Sequence, residues 1–171
     1  MIEIPSLRPE KSWGRFATCQ ERGKNGRLQT CPRPSHAGAS QKPGFNRKVW
    51  LRLEDAVRVL AEKEEYVEVY TICGPLFKIG DPIDVIGKNQ VVVPDAFFKS
   101  VLAEKAKPNA QNQLEMWTFA IPNEETQEPL SSFLVPTEDV ERRAGLQIWD
   151  RLRGEKSDRL KSRKGRMWAI K

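Results

Sequence analysis

Asn46 and Glu54 are the two residues of this sequence whose types and spacing could do chemistry together. On an α-helix their separation is about 12 Å along the axis and roughly 80° around it, at ~1.5 Å and ~100° per residue. Direct contact is not expected, but a hydrated ion or a substrate could couple the amide to the carboxylate. On residue types alone the simpler interpretation is preferred, with Asn46 a helix cap and Glu54 a solvated charge beside arginines.

Other catalytic signals are absent from the sequence. The single histidine, His36, has no Ser or Cys context that would make a catalytic triad. No G-x-x-x-x-G-K-[ST] loop occurs, which excludes nucleotide hydrolysis of the P-loop type. The three cysteines, Cys19, Cys31 and Cys73, have neither metal-ligand spacing nor the even number of a disulfide framework. By default we therefore expect a reducing cellular compartment, or one whose redox state does not matter to this protein.

An amphipathic helix is predicted over residues 46–65. Trp50, Leu53, Val57 and Leu60 lie at i, i+3, i+7 and i+10 and form one apolar stripe, with charges on the other face. Asn46 is placed to cap this helix, because its side-chain oxygen can accept a backbone N–H of the first turn.

Strands are predicted over residues 66–72, 91–93, 97–102, 114–121 and 133–135, the first ending at Gly74-Pro75. Thr137 is the predicted N-cap of a short helix over residues 138–144 that stops at Gly145. We expect Trp50, Trp117 and Trp149 to be core aromatics and Cys73 to be a buried small residue. The order of helix, strands and helix predicts an α+β fold, an antiparallel sheet packed with helices.

The net charge of +6 over 171 residues hides an uneven distribution. Residues 1–45 carry +5, residues 46–150 carry −6 and residues 151–171 carry +7. A uniformly basic nucleic-acid binder is not expected to look like this, since phosphate affinity rests on Lys and Arg gathered on one face. No apolar run approaches the ~20 residues of a membrane helix, and residues 1–7 carry no secretory signal pattern.

Five fragments of the chain resemble, in order and with similar spacing, the DNA/RNA non-specific endonuclease family. They are residues 45–55 (FNRKVWLRLED), 70–76 (YTICGPL), 85–102 (VIGKNQVVVPDAFFKSVL), 119–123 (FAIPN) and 133–149 (FLVPTEDVERRAGLQIW). The resemblance covers about the last three quarters of the chain and the second part of a full family domain. It implies a partial ββα-metal (His-Me finger) nuclease domain over residues 41–165.

The resemblance also implies a site. The asparagine that ligates a single Mg²⁺ (or Mn²⁺) in this family falls on Asn46, and the glutamate that orients water at the ion falls on Glu54. A neutral ligand suits Mg²⁺, which keeps several waters. Arg47 is a candidate phosphate contact beside the ion, the alternative being a first-turn surface charge.

The histidine that is the general base in this family has no counterpart in this sequence. No D-R-G-H motif occurs in the sequence, and His36, ten residues before Asn46, is not given that role. The expected function is a Mg²⁺-dependent, sugar-nonspecific endonuclease domain, truncated and lacking its base. The alternatives are an inactive nuclease-like module that binds nucleic acid, or a fragment produced by a faulty gene model.

Residues 1–40 are expected to be a disordered basic leader foreign to the family domain, and residues 166–171 a basic tail. DNA and RNA are the expected partners, a homodimer is the assembly considered, and no membrane partner is expected. The compartment is left open, although full-length relatives are often secreted or organellar.

Overall fold

The computed structural model of the chain describes residues 40–78, 80, 84–107 and 113–169. Apart from Ser40, the predicted leader lies outside these residues, and so do His36, Cys19 and Cys31. Within the described residues the strands are β1 (Tyr66–Leu76), β2 (Val85–Ile86), β3 (Val91–Val92), β4 (Ala96–Lys105), β5 (Leu114–Pro122) and β6 (Leu134–Val135). Antiparallel pairing gives a four-stranded sheet in the order β1-β4-β5-β6, and β2 pairs with β3 in a separate hairpin.

The helical elements are a π-helical turn (Phe45–Trp50), α1 (Leu51–Ala61), a 3-10 turn (Leu130–Phe133), α2 (Thr137–Ala144) and α3 (Glu155–Ser162). The predicted apolar stripe is confirmed, because Trp50, Leu53, Val57 and Leu60 are all buried. In the described residues no helix has both the length and the apolar character needed to cross a membrane.

Strand β4 separates two hydrophobic clusters, since successive side chains of a strand point to opposite faces of the sheet. Phe97 and Val101 lie in the cluster covered by the π-turn and α1, which we name the α1 face. Phe98 and Leu102 lie in the cluster covered by α2 and α3, which we name the α2 face. The α+β sheet packed with helices is therefore confirmed.

The predicted strands are all present, but the end of the first was wrong. Strand β1 runs through Gly74 and Pro75 to Leu76. Proline is tolerated there because β1 is an edge strand of the sheet, where one side of the backbone needs no partner. Glycine is required because a Cβ at Gly74 would stand 2.8 Å from the ring of Phe98. Cys73 is thus partly buried within the strand rather than after it.

Helix α2 ends at Gly145 as predicted, but Thr137 is not its N-cap. The cap position is Pro136, and Thr137 is the first helical residue. The hydroxyl of Thr137 is directed into the sheet, where it lies 2.8 Å from that of Thr118. A hydroxyl used in this way is not available to the backbone N–H groups of its own helix.

The C-terminal segment after α3 packs on the α1 face. The indole of Trp168 contacts Trp117 and Phe119 at ring-centroid distances of 5.0 and 5.9 Å and donates a hydrogen bond to the Ala56 carbonyl. The predicted core positions of Trp50, Trp117 and Trp149 are confirmed by exposures of 5%, 5% and 8%. The described part of the basic tail is therefore anchored, with its charged side chains outside.

Candidate metal and nucleic-acid site

The site begins at a π-helical turn that the sequence did not predict. Phe45 and Trp50 are five residues apart, which on an α-helix would separate them by about 140°. A π-turn closes i→i+5 hydrogen bonds and brings such residues to one side. Both rings pack on Phe97 of β4, at centroid distances of 5.2 and 6.0 Å. Burial of two aromatic rings on one strand therefore explains the change of helix type.

The chain is held to the sheet immediately before this turn. The buried side chain of Asn123, directly after β5, donates to the carbonyls of Ser40 and Pro94 and accepts from the N–H of Lys42. A Cβ at Gly44 would stand 2.8 Å from the side chain of Glu125, so glycine permits this close approach. These contacts fix the position from which the π-turn starts.

Asn46 is exposed on this turn, and its predicted capping role was wrong. Helical hydrogen bonding has already begun before it, since the Asn46 N–H donates to the Lys42 carbonyl at 3.0 Å. Its side chain makes no capping hydrogen bond. Because each residue of a π-turn advances by less than ~100°, the angle between Asn46 and Glu54 is smaller than the ~80° expected from an α-helix.

Glu54 lies on α1 with its side chain 34% exposed, next to a lysine that comes from the sheet. The Lys99 ammonium is 3.6 Å from the Glu54 carboxylate and 4.8 Å from the ring centre of Trp50. Lys99 itself is only 3% exposed. The carboxylate therefore has a buried cation on one side and solvent on the other.

The basic residues of the helix differ in what they contact. Lys48 forms an ion pair with Glu125, and Arg58 forms one with Asp55. Arg52 donates to the backbone carbonyls of Thr126 and Glu128 in the loop after β5. Arg47 is exposed beside Asn46, and within the described residues no carboxylate lies at ion-pair distance from it.

A second group of titratable residues lies at the other end of β4. The Tyr66 hydroxyl donates to Glu115 at 2.7 Å, and Lys105 pairs with the same carboxylate at 2.8 Å. Burial, together with the hydrogen bond to Glu115, raises the pKa of Tyr66. Burial alone would raise the pKa of Glu115, but the hydrogen bonds from Lys105 and Tyr66 outweigh it and hold that pKa below its ordinary value. This group ties β1 to β4 and β5.

A cleft of about 510 Å³ opens beside the end of β5 and is lined partly by Lys42, Lys78, Asp95 and Asn123. None of Asn46, Arg47 and Glu54 lines it. These three residues lie instead on the helix surface, which is accessible to a polymer as well as to a small molecule.

Comparison with known proteins decides the family. The sequence profile described as DNA/RNA non-specific endonuclease matches residues 39–155. The chain belongs to this family. The profile match includes Asn46, Arg47 and Glu54, so the predicted site lies inside the region that defines the DNA/RNA non-specific endonuclease family.

Individual relatives agree with this assignment. The chain is 40% identical over 91 residues to human mitochondrial Endonuclease G, covering 48% of this chain and 29% of the relative. It is 30% identical over 126 residues to the nuclease of Serratia marcescens, covering 73% of this chain and 46% of the relative. The chain thus spans less than half the length of these two relatives.

A solved structure supports the fold. A chain in the crystal structure of the EndoG/EndoGI complex superposes with a TM-score of 0.58 and 37% sequence identity, covering 67% of this chain and 49% of that chain. The fold of this endonuclease family member is accordingly of the ββα-metal nuclease type.

The donor set around Asn46 fits a hard cation that keeps its water. Within the described ranges no three His, Cys, Asp or Glu side chains gather as a metal site. The exposed amide of Asn46 and the partly exposed carboxylate of Glu54, two helical turns away, offer oxygen ligands only, and too few for a closed protein cage. Mg²⁺ is bound in this manner, with one or two protein ligands and several retained waters.

Lys99 is the residue of this region that the sequence analysis missed. The signal was present, since Lys99 is a single charge within the predicted strand over residues 97–102. The two-residue period places it on the same face as Phe97 and Val101, which both pack in the core. A lysine at a core position of a strand is the pattern that would have identified it.

Proposed function

We propose that this chain is a metal-dependent nuclease domain that acts on phosphodiester bonds of DNA and RNA. The observation that carries the proposal is a family-matched helix that presents an exposed amide, Asn46, and a partly exposed carboxylate, Glu54. The names of the relatives, Endonuclease G and nuclease, support the same class of reaction.

In the proposed mechanism Asn46 holds one Mg²⁺ or Mn²⁺ through its side-chain oxygen. When bound, the ion would stabilise negative charge on the phosphate and on the departing 3′ oxygen. Glu54, two turns further along, accepts a hydrogen bond from water and orients it. Arg47 contacts a phosphate oxygen beside the ion, because its charge is exposed on the same turn.

Nicking of a supercoiled plasmid and cleavage of a single-stranded RNA test this proposal. With Mg²⁺ the chain should cut both substrates, at a rate about 10²- to 10⁴-fold below that of an enzyme with its general base. Chelation of the metal or Asn46→Ala should lower that rate by a further ~10- to 100-fold. Asn89→Ala is the matched control, since Asn89 is an exposed amide in the turn between β2 and β3. Cutting that survives both chelation and Asn46→Ala would overturn the proposed site.

A second candidate is a module that binds nucleic acid without cutting it. It is favoured by the absence of a D-R-G-H motif from the sequence, because the histidine of that motif is the general base that the family resemblance implies. In this case Arg163, Lys164 and Arg166, which are exposed beside the anchored Trp168, are the candidate phosphate contacts.

Salt-dependent DNA binding separates the two candidates. Replacing these three residues by glutamine should reduce the slope of log K against log salt by about two to three, at ~0.9 per phosphate contact. A reduced slope in a chain that does not cut supports the binding module. An unchanged slope excludes the tail as its contact surface. Dimerisation stays a prediction, which sedimentation of the intact chain can test.

A further inference from the structure

Lys99 is placed where an apolar side chain would be expected. It lies in the middle of β4, paired with Cys73 of β1 and Phe119 of β5. Its neighbours on the same face, Phe97 and Val101, belong to the hydrophobic core. An ammonium group moved from water to such a position loses its hydration, which is strongly unfavourable unless a partner compensates.

The compensation comes from α1 and the π-turn rather than from the sheet. Trp50 ends the π-turn, and the Lys99 ammonium lies 4.8 Å from its ring centre, at cation–π distance. Glu54 follows Trp50 by four residues, so both side chains lie on the same side of the helix. The ammonium approaches the Glu54 carboxylate from the interior of the protein, and the two groups are 3.6 Å apart.

We propose that Lys99 is a positioning residue that fixes the direction of the Glu54 carboxylate toward the site at Asn46. The inference rests on the proposed function. In this role Lys99 contacts neither the substrate nor the ion. It acts through Glu54, which would otherwise be a partly exposed carboxylate free to change rotamer on the surface of α1.

The geometry separates this role from a general contribution to stability. Replacement of a buried ion pair by well-packed apolar groups is often neutral or stabilising, since desolvation offsets the Coulomb attraction. The pair of Glu141 and Lys161 joins α2 to α3 at 2.8 Å with exposures of 17% and 14%. The Lys99–Glu54 pair is instead longer, with its cation more deeply buried and its anion more exposed. Its exposed member is the residue proposed to orient water.

A double-mutant cycle on the full chain tests the proposal. Lys99→Met, Glu54→Gln and the double variant are compared with the unmodified chain in plasmid nicking at saturating Mn²⁺ and in Mn²⁺ binding by electron paramagnetic resonance. Lys161→Met serves as the matched control, because it breaks a partly buried ion pair elsewhere in the fold.

If Lys99 positions Glu54, Lys99→Met lowers the nicking rate about 10- to 100-fold, as loss of an outer-shell partner does. Mn²⁺ binding is not weakened, because removal of a positive charge does not repel a cation. With Gln at position 54, removing Lys99 changes the rate by less than about twofold. Lys161→Met lowers the unfolding temperature and leaves the rate per folded molecule unchanged. A rate loss of equal size in both backgrounds, or one that follows weaker Mn²⁺ binding, overturns the proposal.

A third measurement does not depend on activity. If the unmodified chain neither cuts DNA nor binds Mn²⁺, the proposed function fails, and thermal unfolding still tests the contact. Non-additive shifts of the unfolding temperature in the cycle support the Lys99–Glu54 coupling. Additive shifts overturn it.

Discussion

Lys99 and Ser100 are adjacent on β4 and point to opposite faces of the sheet. The polar partners of Ser100 are all buried, whereas the carboxylate partner of Lys99 is partly exposed. On the α2 face Trp149 donates to the Ser100 hydroxyl at 2.9 Å, and a chain of buried hydroxyls continues from Ser100 through Thr118 to Thr137. The chain ends on the sulfur of Met116. Every polar atom of this network has a partner inside the protein, as buried polar groups require.

On the α1 face the buried cation is directed at a carboxylate that remains partly in contact with solvent. The α2 face therefore uses its polar groups to fix a packing arrangement. In the proposed function, the α1 face uses a buried charge to hold a carboxylate that can still reach a substrate. Burial alone does not distinguish Lys99, since Ser100, Thr118 and Thr137 are buried too; what distinguishes Lys99 is that its ion-pair partner is partly exposed.

The largest expected effect comes from removing the side chain of Trp168, which anchors the C-terminal segment on the α1 face. Trp168→Ala removes an indole that packs on Trp117 and Phe119 and donates to the Ala56 carbonyl. We expect a loss of about 3–5 kcal/mol in the free energy of unfolding, measured by urea denaturation. Phe77→Ala is the control, because Phe77 is 37% exposed and should cost much less. Equal losses in the two variants would show that the C-terminal segment does not close this face.

The next effect concerns Glu54, the partly exposed carboxylate of the same face. Glu54→Gln should lower the nicking rate per folded molecule about 100-fold, equivalent to ~2.7 kcal/mol. It should also lower the unfolding temperature, because the buried Lys99 ammonium loses its carboxylate partner. Glu64→Gln, at an exposed position between α1 and β1, should leave the rate unchanged. A similar rate loss in both variants would point to overall charge rather than to the site.

Substitution in the hydroxyl chain of the α2 face should lower the stability of the fold without lowering the nicking rate. Thr118→Val keeps the volume but leaves the hydroxyls of Ser100 and Thr137 without a shared partner. The expected cost is about 1–3 kcal/mol in unfolding free energy, with the nicking rate per folded molecule unchanged. The control is Thr126→Val, in the loop after β5, which should cost less unfolding free energy because Thr126 is less buried than Thr118. If Thr118→Val lowered the rate without lowering stability, the contrast between the two faces would be wrong.

The smallest effect is expected at Glu115. Its pKa is held below the ordinary value, because the hydrogen bonds from Lys105 and Tyr66 outweigh the effect of burial. The group therefore contributes stability that is present above the unfolded pKa of ~4.3 and is lost as the pH falls through the folded pKa. Urea denaturation between pH 7 and pH 3 should show a smaller loss of stability on acidification for Glu115→Gln than for the unmodified chain. Equal pH dependence would show that the contact is absent in solution.

Several parts of the fold followed from sequence patterns because they depend on local period. The stripe of Leu53, Val57 and Leu60 predicted the buried side of α1. The break at Pro94-Asp95 predicted where β4 begins, and the break at Pro122-Asn123 predicted where β5 ends. The end of β1 could not be predicted in this way. Whether Gly74-Pro75 turns the chain or continues a strand depends on the edge position of β1 and on the ring of Phe98.

By itself, the sequence determined the α+β class, the family and the helix that carries Asn46, Arg47 and Glu54, because these depend on residue types and their spacing along one segment. Only the tertiary structure decided the π-turn, since Phe45 and Trp50 are brought to one side by packing on Phe97. Only the tertiary structure brought Lys99 to Glu54, 45 residues away along the chain. No local pattern encodes that contact, because it forms when the sheet and the helix bury their apolar sides against each other.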